Sequence, residues 1–435
     1  MVSASAEPGL SFVPRDVLSA MEKIHRAGFG VWLVGGALRD YFLGIAPKDW
    51  DLATSAGSSE IISLFPAVIP VGIRHGTVQV HTRTRDIEVT SFAPGNGGIA
   101  ADLARRDFTI NSIALSYPDG LLLDPNAGRE DLRAGIVRGV GEPRARFLED
   151  PLRIVRAARI CGIFGFRIEP ATFEAMRAES GRLGEISGER VRDEILKILL
   201  SPNVSVAFGL LRESGAFAGL LPFLEAGARM EFREGTGISL FDHTLSCILN
   251  CPERLRVRLA ALFHESALPF EEGDTASRSA LLAVKTLRAW NVSNRQTAEV
   301  STLVARQISE DALFWSDAQI RRFITEIGRE LLEDSIALAQ AQMLSGGWTH
   351  VGRAQLERLF SSLKSQLGRI SAFSVRELAL GGQDVMKILA LRPGPRVGEI
   401  LGELFDLVQE DPGLNTRENL TRLVEETFRK SPSGT

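Results

Sequence analysis

The stretch Val31-Trp32-Leu33-Val34-Gly35-Gly36-Ala37-Leu38-Arg39-Asp40 runs through Tyr41-Phe42-Leu43-Gly44-Ile45-Ala46-Pro47-Lys48 into Asp49-Trp50-Asp51-Leu52-Ala53-Thr54. An apolar strand meets a Gly pair, an Arg follows one helical turn later, and two carboxylates arrive one residue apart. Gly35 and Gly36 let backbone approach a phosphate where a side chain would intrude. Arg39 has the planar fork that suits phosphate oxygens. On an extended segment, Asp49 and Asp51 point to the same side, with Cα atoms about 7 Å apart. Both carboxylates can then converge on one or two divalent ions, which is equipment for metal-assisted transfer of a nucleotidyl group.

Working outward, the surrounding pattern predicts a compact α/β head. Residues 17–27 read as an amphipathic helix closed near Gly28 and Gly30, and 31–34 as a strand. A short helix at 37–43, a strand at 49–54 and a helix at 58–65 follow. A hairpin over 68–81 turns around Arg74-His75-Gly76, and 86–92 is a further strand before a Gly-rich loop at 93–101. Beyond about residue 126 the periodicity is helical, with expected helices at 146–162, 171–178, 189–200, 205–214, 254–266, 280–289, 297–308, 318–338 and 351–367. Residues 1–14 read as a loose lead and 430–435 as a polar tail. Arg392-Pro393-Gly394-Pro395-Arg396 is a sharp turn launching a last amphipathic helix.

A chain of 435 residues exceeds one small core and predicts several domains. No apolar run reaches the roughly 18 residues of a membrane span, and the N-terminus lacks a secretory pattern, so a cytoplasmic location and no membrane partner are expected. Cys161, Cys247 and Cys251 are too few for a disulfide framework; Cys247 and Cys251, four apart on one helix face, read as buried small hydrophobes rather than ligands. The net charge of −4 argues against a general nucleic-acid coat. Residues 129–159, however, hold eight Arg and no Lys, which favours planar, bidentate recognition over bulk attraction.

Three further segments carry chemistry: Asp86-Ile87-Glu88-Val89-Thr90, Asp102-Leu103-Ala104-Arg105-Arg106-Asp107-Phe108-Thr109-Ile110-Asn111, and Phe147-Leu148-Glu149-Asp150-Pro151-Leu152-Arg153-Ile154-Val155-Arg156-Ala157-Ala158-Arg159. In the last, Pro151 suits a first helical turn with Asp150 as cap. Arg153, Arg156 and Arg159 recur every three residues along one drifting face. In Gly188-Glu189-Arg190-Val191-Arg192-Asp193-Glu194, Arg190 and Glu194 at i and i+4 read as an ion pair with each other.

Together with the 31–54 stretch, these segments resemble the class II tRNA nucleotidyltransferases and bacterial poly(A) polymerases. The resemblance implies an α+β protein: a polymerase-β-like head over residues 1–135, then an all-α neck (136–225), body (226–380) and tail (381–435). It implies an RNA nucleotidyltransferase that adds cytidines, CC or the full CCA, to the tRNA 3′ end from CTP and ATP, without a nucleic-acid template. The alternative is a poly(A) polymerase with the same head. Asp49 and Asp51 would bind Mg²⁺, with Glu88 in support. Gly35, Gly36 and Arg39 would hold the triphosphate. Arg106 would reach the nucleotide, with Asp107 orienting it or contacting the sugar. Asp150 and Arg153 would read the base edge, with Arg156 and Arg159 serving phosphates or holding that pair. The acceptor and T arms of a tRNA are the implied RNA contact, while the oligomeric state stays open.

Relatives that complete CCA carry a long flexible loop between the Glu-Val-Thr strand and the Arg-Arg-Asp motif, and CC-adding members have it shortened. Here only 93–101 remain, so a CC product is favoured, with a loop that differs merely in length as the competing reading. Phe241-Asp242-His243-Thr244-Leu245 and Leu262-Phe263-His264-Glu265 resemble a metal-dependent phosphohydrolase (HD) module in which His-Asp has become His-Glu. With His25, His75, His81, His243, His264 and His350 scattered, the body is expected to be scaffold that has lost its metal.

Overall fold

The structure is a computed structural model that describes residues 9–72, 76–92, 97–270, 273–348 and 353–428. The expected hairpin turn at 74–75, residues 93–96 of the Gly-rich loop, His350, most of the lead and the polar tail lie outside the described residues. The chain forms two compact units, Met1–Pro222 and Phe223–Thr435.

The first unit opens with α1 (Arg15–Arg26), which buries Val17, Ala20, Met21 and Ile24 on one face and stops before Gly28 at φ +91°. Next come β1 (Val31–Val34), α2 (Gly36–Phe42), β2 (Asp51–Thr54), α3 (Ser58–Leu64), β3 (Val68–Gly72), β4 (Thr77–His81) and β5 (Asp86–Ser91). They are followed by α4 (Gly98–Ala104), β6 (Ala114–Tyr117) and β7 (Leu122–Leu123). The strands build one sheet in the order β3-β4-β5-β2-β1-β6-β7. Only β2 and β5 run parallel, and that pairing sets Asp51 opposite Glu88. On its other side Asp51 faces Val34, the last residue before the Gly pair. The sheet's register therefore joins the ends of the decisive stretch.

Two local expectations change here. The strand starts at Asp51, so Asp49 precedes it, yet the alternation persists: Asp49 is exposed, Trp50 buried and Asp51 half-buried. The segment 93–101 is not all loop, because Gly98–Ala104 is helical and buries Leu103.

Helices complete the unit: α5 (Gly128–Ala134), α6 (Pro143–Glu149), α7 (Leu152–Phe164), α8 (Pro170–Glu179), α9 (Gly188–Leu199) and α10 (Val204–Glu213). The single helix expected over 146–162 is broken. Asp150 is extended, with φ −150° and ψ 99°, because the ring of Pro151 clashes with a helical residue before it. The first unit ends with α11 (Phe217–Leu220), and α12 (Pro222–Gly227) crosses the boundary between the units.

The second unit is helical among its described residues. α13 (Leu240–Asn250), α14 (Leu255–Phe263), α15 (Thr275–Ala289), α16 (Asn294–Ala305), α17 (Asp317–Ile327), α18 (Leu332–Leu344) and α19 (Arg353–Leu367) form most of it. The helix expected over 318–338 splits at Gly328, whose φ of +82° disfavours any side-chain-bearing residue. α20 (Gly382–Leu389) and α21 (Pro395–Glu410) close on a local core of Val385, Val397, Ile400, Leu404 and Val408. No helix among the described residues is long and apolar enough to cross a membrane.

Candidate active site

Gly35 is the pivot of the site. Its backbone sits at φ +73°, and an added Cβ would come within 2.9 Å of Arg106 Nη1 and 3.3 Å of Asp51 Oδ2. A side chain here would fill the space between a guanidinium and a carboxylate. Gly36 is less constrained, since its Cβ would meet the Arg39 guanidinium, with Nη2 nearest at 3.4 Å.

Asp51 gathers negative neighbours. Burial, then Glu88 and Asp49, raise its carboxyl to about 6, against the opposing pull of Arg106 and Arg156. Asp51 with two acidic neighbours is a donor set short of positive charge. Their oxygens suit a hard divalent cation, which would relieve that repulsion.

Arg39 already has partners within the chain. Its Nε and Nη2 fork onto Asp40 at 2.9 and 2.7 Å, and Nη1 donates to Asn111 Oδ1 at 2.9 Å. The guanidinium lies 4.9 Å from the ring centre of Phe164 on α7. A phosphate would have to compete with Asp40 for this fork. Arg106 points into the site beside Gly35 and is oriented by Asp102, which accepts from its Nε at 3.2 Å and Nη2 at 3.1 Å.

Asp107 orients a different arginine than expected. Its Oδ2 accepts from Arg156 Nε at 2.9 Å and Nη2 at 2.7 Å, and its Oδ1 from Asn111 Nδ2 and Phe108 N–H. Burial alone would raise this carboxyl, but Arg156, Asn111 and the Phe108 amide hold it down to about 2. A continuous polar chain thus runs Asp40, Arg39, Asn111, Asp107, Arg156, tying α2 to α7.

At the α6–α7 break, Asp150 Oδ1 accepts the Leu152 N–H at 3.2 Å and so caps α7, as the spacing implied. Its Oδ2 accepts from Arg190 Nη2 at 2.6 Å. Arg153 donates to Glu149 Oε2 at 3.1 Å, and to the carbonyls of Arg146 at 3.3 Å and Arg105 at 3.2 Å. Arg159 pairs with buried Glu194. The expected Arg190–Glu194 pair is therefore corrected: each residue turns from α9 to α7 instead, because a carboxylate and a guanidinium of the motif offer partners across the helix packing.

These groups surround a cleft of about 300 Å³ lined by Asp102, Arg105, Arg106, Asp107, Asp150, Arg153 and Arg156. Every wall residue is charged. The cleft brings the Arg-Arg-Asp segment against the Asp150–Arg153 motif, with Arg106 linking it to the carboxylate cluster. Arg159 does not line it. Sequence reasoning missed Asp40, Asp102, Arg190 and Glu194 as partners of the motif residues. Only tertiary packing pairs Arg190 and Glu194 with α7, whereas Asp40, adjacent to Arg39, and Asp102, four residues before Arg106 at helical spacing, were open to view.

Comparison with known proteins adds identity to this geometry. Residues 31–138 match the poly A polymerase head domain, 165–227 the probable RNA and SrmB-binding site of polymerase A, and 277–424 the putative tRNA nucleotidyltransferase domain 2. A CCA-adding enzyme of Geobacillus stearothermophilus is 30% identical over 423 residues, spanning 93% of this chain and 95% of its own. A CC-adding tRNA nucleotidyltransferase of Halalkalibacterium halodurans is 28% identical, spanning 94% and 96%. The crystal structure of the Bacillus stearothermophilus CCA-adding enzyme in complex with CTP superposes with a TM-score of 0.72 at 28% identity, covering 95% of this chain and 97% of that one.

Proposed function

The chain belongs to the tRNA nucleotidyltransferase family, and from that premise we propose how its site carries out the family's reaction. The protein is an RNA nucleotidyltransferase that adds cytidines, CC or the full CCA, to the 3′ end of tRNA from CTP and ATP. The observation that carries our reading of the site is the register of Asp51 against Glu88 beside a side-chain-free Gly35.

Asp49 and Asp51, supported by Glu88, would hold divalent cations, and the oxygen-only donor set favours Mg²⁺. Bound there, such ions would supply activation of the RNA 3′-hydroxyl and charge neutralisation at the α-phosphate. Gly35 and Gly36 leave space for the triphosphate, and Arg106 presents positive charge to it. Arg39, locked to Asp40 and Asn111, positions α2 and reaches phosphate only by exchanging its partner. Asp150 accepts from the amino group of cytosine or adenine, and Arg153 donates to the ring acceptors of the same edge. Asp107 fixes Arg156, and Glu194 fixes Arg159, so those arginines hold the reading pair in place. We retain the division into a catalytic head over 1–135, a neck over 136–225, a body over 226–380 and a tail over 381–435, the helical segments holding tRNA by shape and backbone charge.

The short connection between β5 and α4 favours a product that ends at CC. A tRNA lacking its last three residues, given CTP and ATP together, gains two cytidines and stops. A completed CCA end overturns the CC reading, and repeated addition of A to unrelated RNA overturns the tRNA-specific one. Asp49→Ala abolishes extension while tRNA binding in a gel-shift assay persists. Activity retained by that variant removes Asp49 from the metal site.

A further inference from the structure

The second unit brings together three residues that lie apart in the sequence. His243 and Cys247 occupy one face of α13, and His264 caps the end of α14. All three are buried. His243 Nδ1 lies 3.0 Å from the Ser345 carbonyl, and His264 Nδ1 lies 2.7 Å from the Ala261 carbonyl. A carbonyl can only accept, so each Nδ1 carries the proton and each Nε2 keeps a bare lone pair. Those two Nε2 atoms face each other at 3.0 Å. Two lone pairs at that distance repel unless a proton or a cation lies between them. A proton there would create an imidazolium sealed from water, which desolvation disfavours.

Cys247 Sγ closes the triangle, 3.6 Å from His243 Nε2 and 3.7 Å from His264 Nε2. Tetrahedral zinc, with bonds of about 2.0–2.1 Å to nitrogen and 2.3 Å to sulfur, requires edges of roughly 3.3 Å between nitrogens and 3.6 Å between nitrogen and sulfur. The two sulfur edges match, and the nitrogen edge is a few tenths of an ångström short.

We propose that His243, Cys247 and His264 form a binding site for a soft divalent cation, zinc by its donor set, independent of the carboxylate site in the first unit. The supporting contacts of a metal site are already in place. The two carbonyls fix both ring orientations, and the Phe232 ring stacks on His243 with centroids 3.6 Å apart and planes within 6°. Loading releases the Cys247 thiol proton to solvent and leaves the ion bound by two neutral imidazoles and a thiolate. His243 also lines a cleft of about 310 Å³, whose wall includes Arg233, Glu265, Gln307 and Gln342, so the fourth ligand comes from that side. The thiol separates this site from the His-Asp pattern that the sequence resembles. It favours a soft ion where the head's oxygens favour a hard one.

Cobalt titration of the chelator-stripped full chain tests the proposal, because a thiolate ligand adds a charge-transfer band that oxygen ligands lack. One equivalent of Co²⁺ develops that band, and Zn²⁺ displaces it. Cys247→Ser abolishes the band and Cys251→Ser leaves it. Absence of the band in folded wild type, or its survival in Cys247→Ser, overturns the site. X-ray absorption of the zinc-loaded wild type needs no variant. A shell with two imidazoles and one sulfur is expected, and an oxygen-only shell is fatal.

Discussion

Asp51 and Asp107 show how the same side chain acquires opposite electrostatics. Asp51 is raised to about 6 by burial, Glu88 and Asp49, so the metal-free fold favours its neutral form. Its contribution to stability is full below about pH 4 and is lost as pH rises through about 6. Asp51→Asn should therefore stabilise the metal-free protein near pH 7, by up to about 3 kcal/mol for a shift of two pKa units, with no gain near pH 4. Thermal melts in chelator check this. A loss of stability near pH 7 would contradict the assigned repulsion. Asp107 runs the other way. Held down to about 2, it stabilises the fold above about pH 4 and loses that effect as pH falls toward 2. Asp107→Asn should cost about 2–3 kcal/mol in denaturant titrations. That is below the loss for a fully buried pair, since the Arg156 side chain is 38% exposed.

At the level of elements, the break between α6 and α7 is the informative feature. An unbroken helix would set Asp150 at a helical position on a rigid rod. Pro151 instead makes it extended, free to cap α7 with one oxygen and offer the other to Arg190. α9 then acts as a splint, bracing Asp150 through Arg190 and Arg159 through Glu194. Arg190→Ala should leave melting nearly unchanged, because an exposed pair contributes only about 0–1 kcal/mol. It should relax the preference for CTP over UTP by roughly tenfold, the equivalent of about 1.4 kcal/mol of misaligned reading. The measurement is kcat/KM for each nucleotide on one tRNA. Equal preference in variant and wild type would mean that Arg190 does not position Asp150.

For the whole molecule, the parts of the candidate site fall within one of the two compact units. The carboxylate cluster, the Gly pair and the charged cleft all belong to residues 1–222. A fragment ending at Pro222 should therefore fold and bind CTP with metal in a calorimetric titration. Its kcat/KM on tRNA should fall by at least a hundredfold on our proposal that the helical remainder holds RNA by shape and backbone charge. A fragment that extends tRNA as well as the full chain would confine RNA recognition to the first unit.

Local chemistry was legible without coordinates. Strand alternation around Trp50 paired the acidic residues, the Gly pair marked a close backbone approach, and Pro151 announced a helix start. All of these depend on neighbours in sequence, and so does the α+β order of the elements. The partners of charged groups depended on the tertiary structure. Arg190 and Glu194 look paired at i and i+4, yet α9 packs on α7, and Arg190 pairs with Asp150 at the start of α7 while Glu194 pairs with Arg159 on it. His243 and Cys247 are one helical turn apart, but His264 reaches them only because α13 and α14 pack together. Covalent spacing determines which way a side chain leaves the backbone, whereas its electrostatic partner is whichever opposite group the packing leaves within about 3 Å. Packing is a property of the whole fold rather than of any window of sequence.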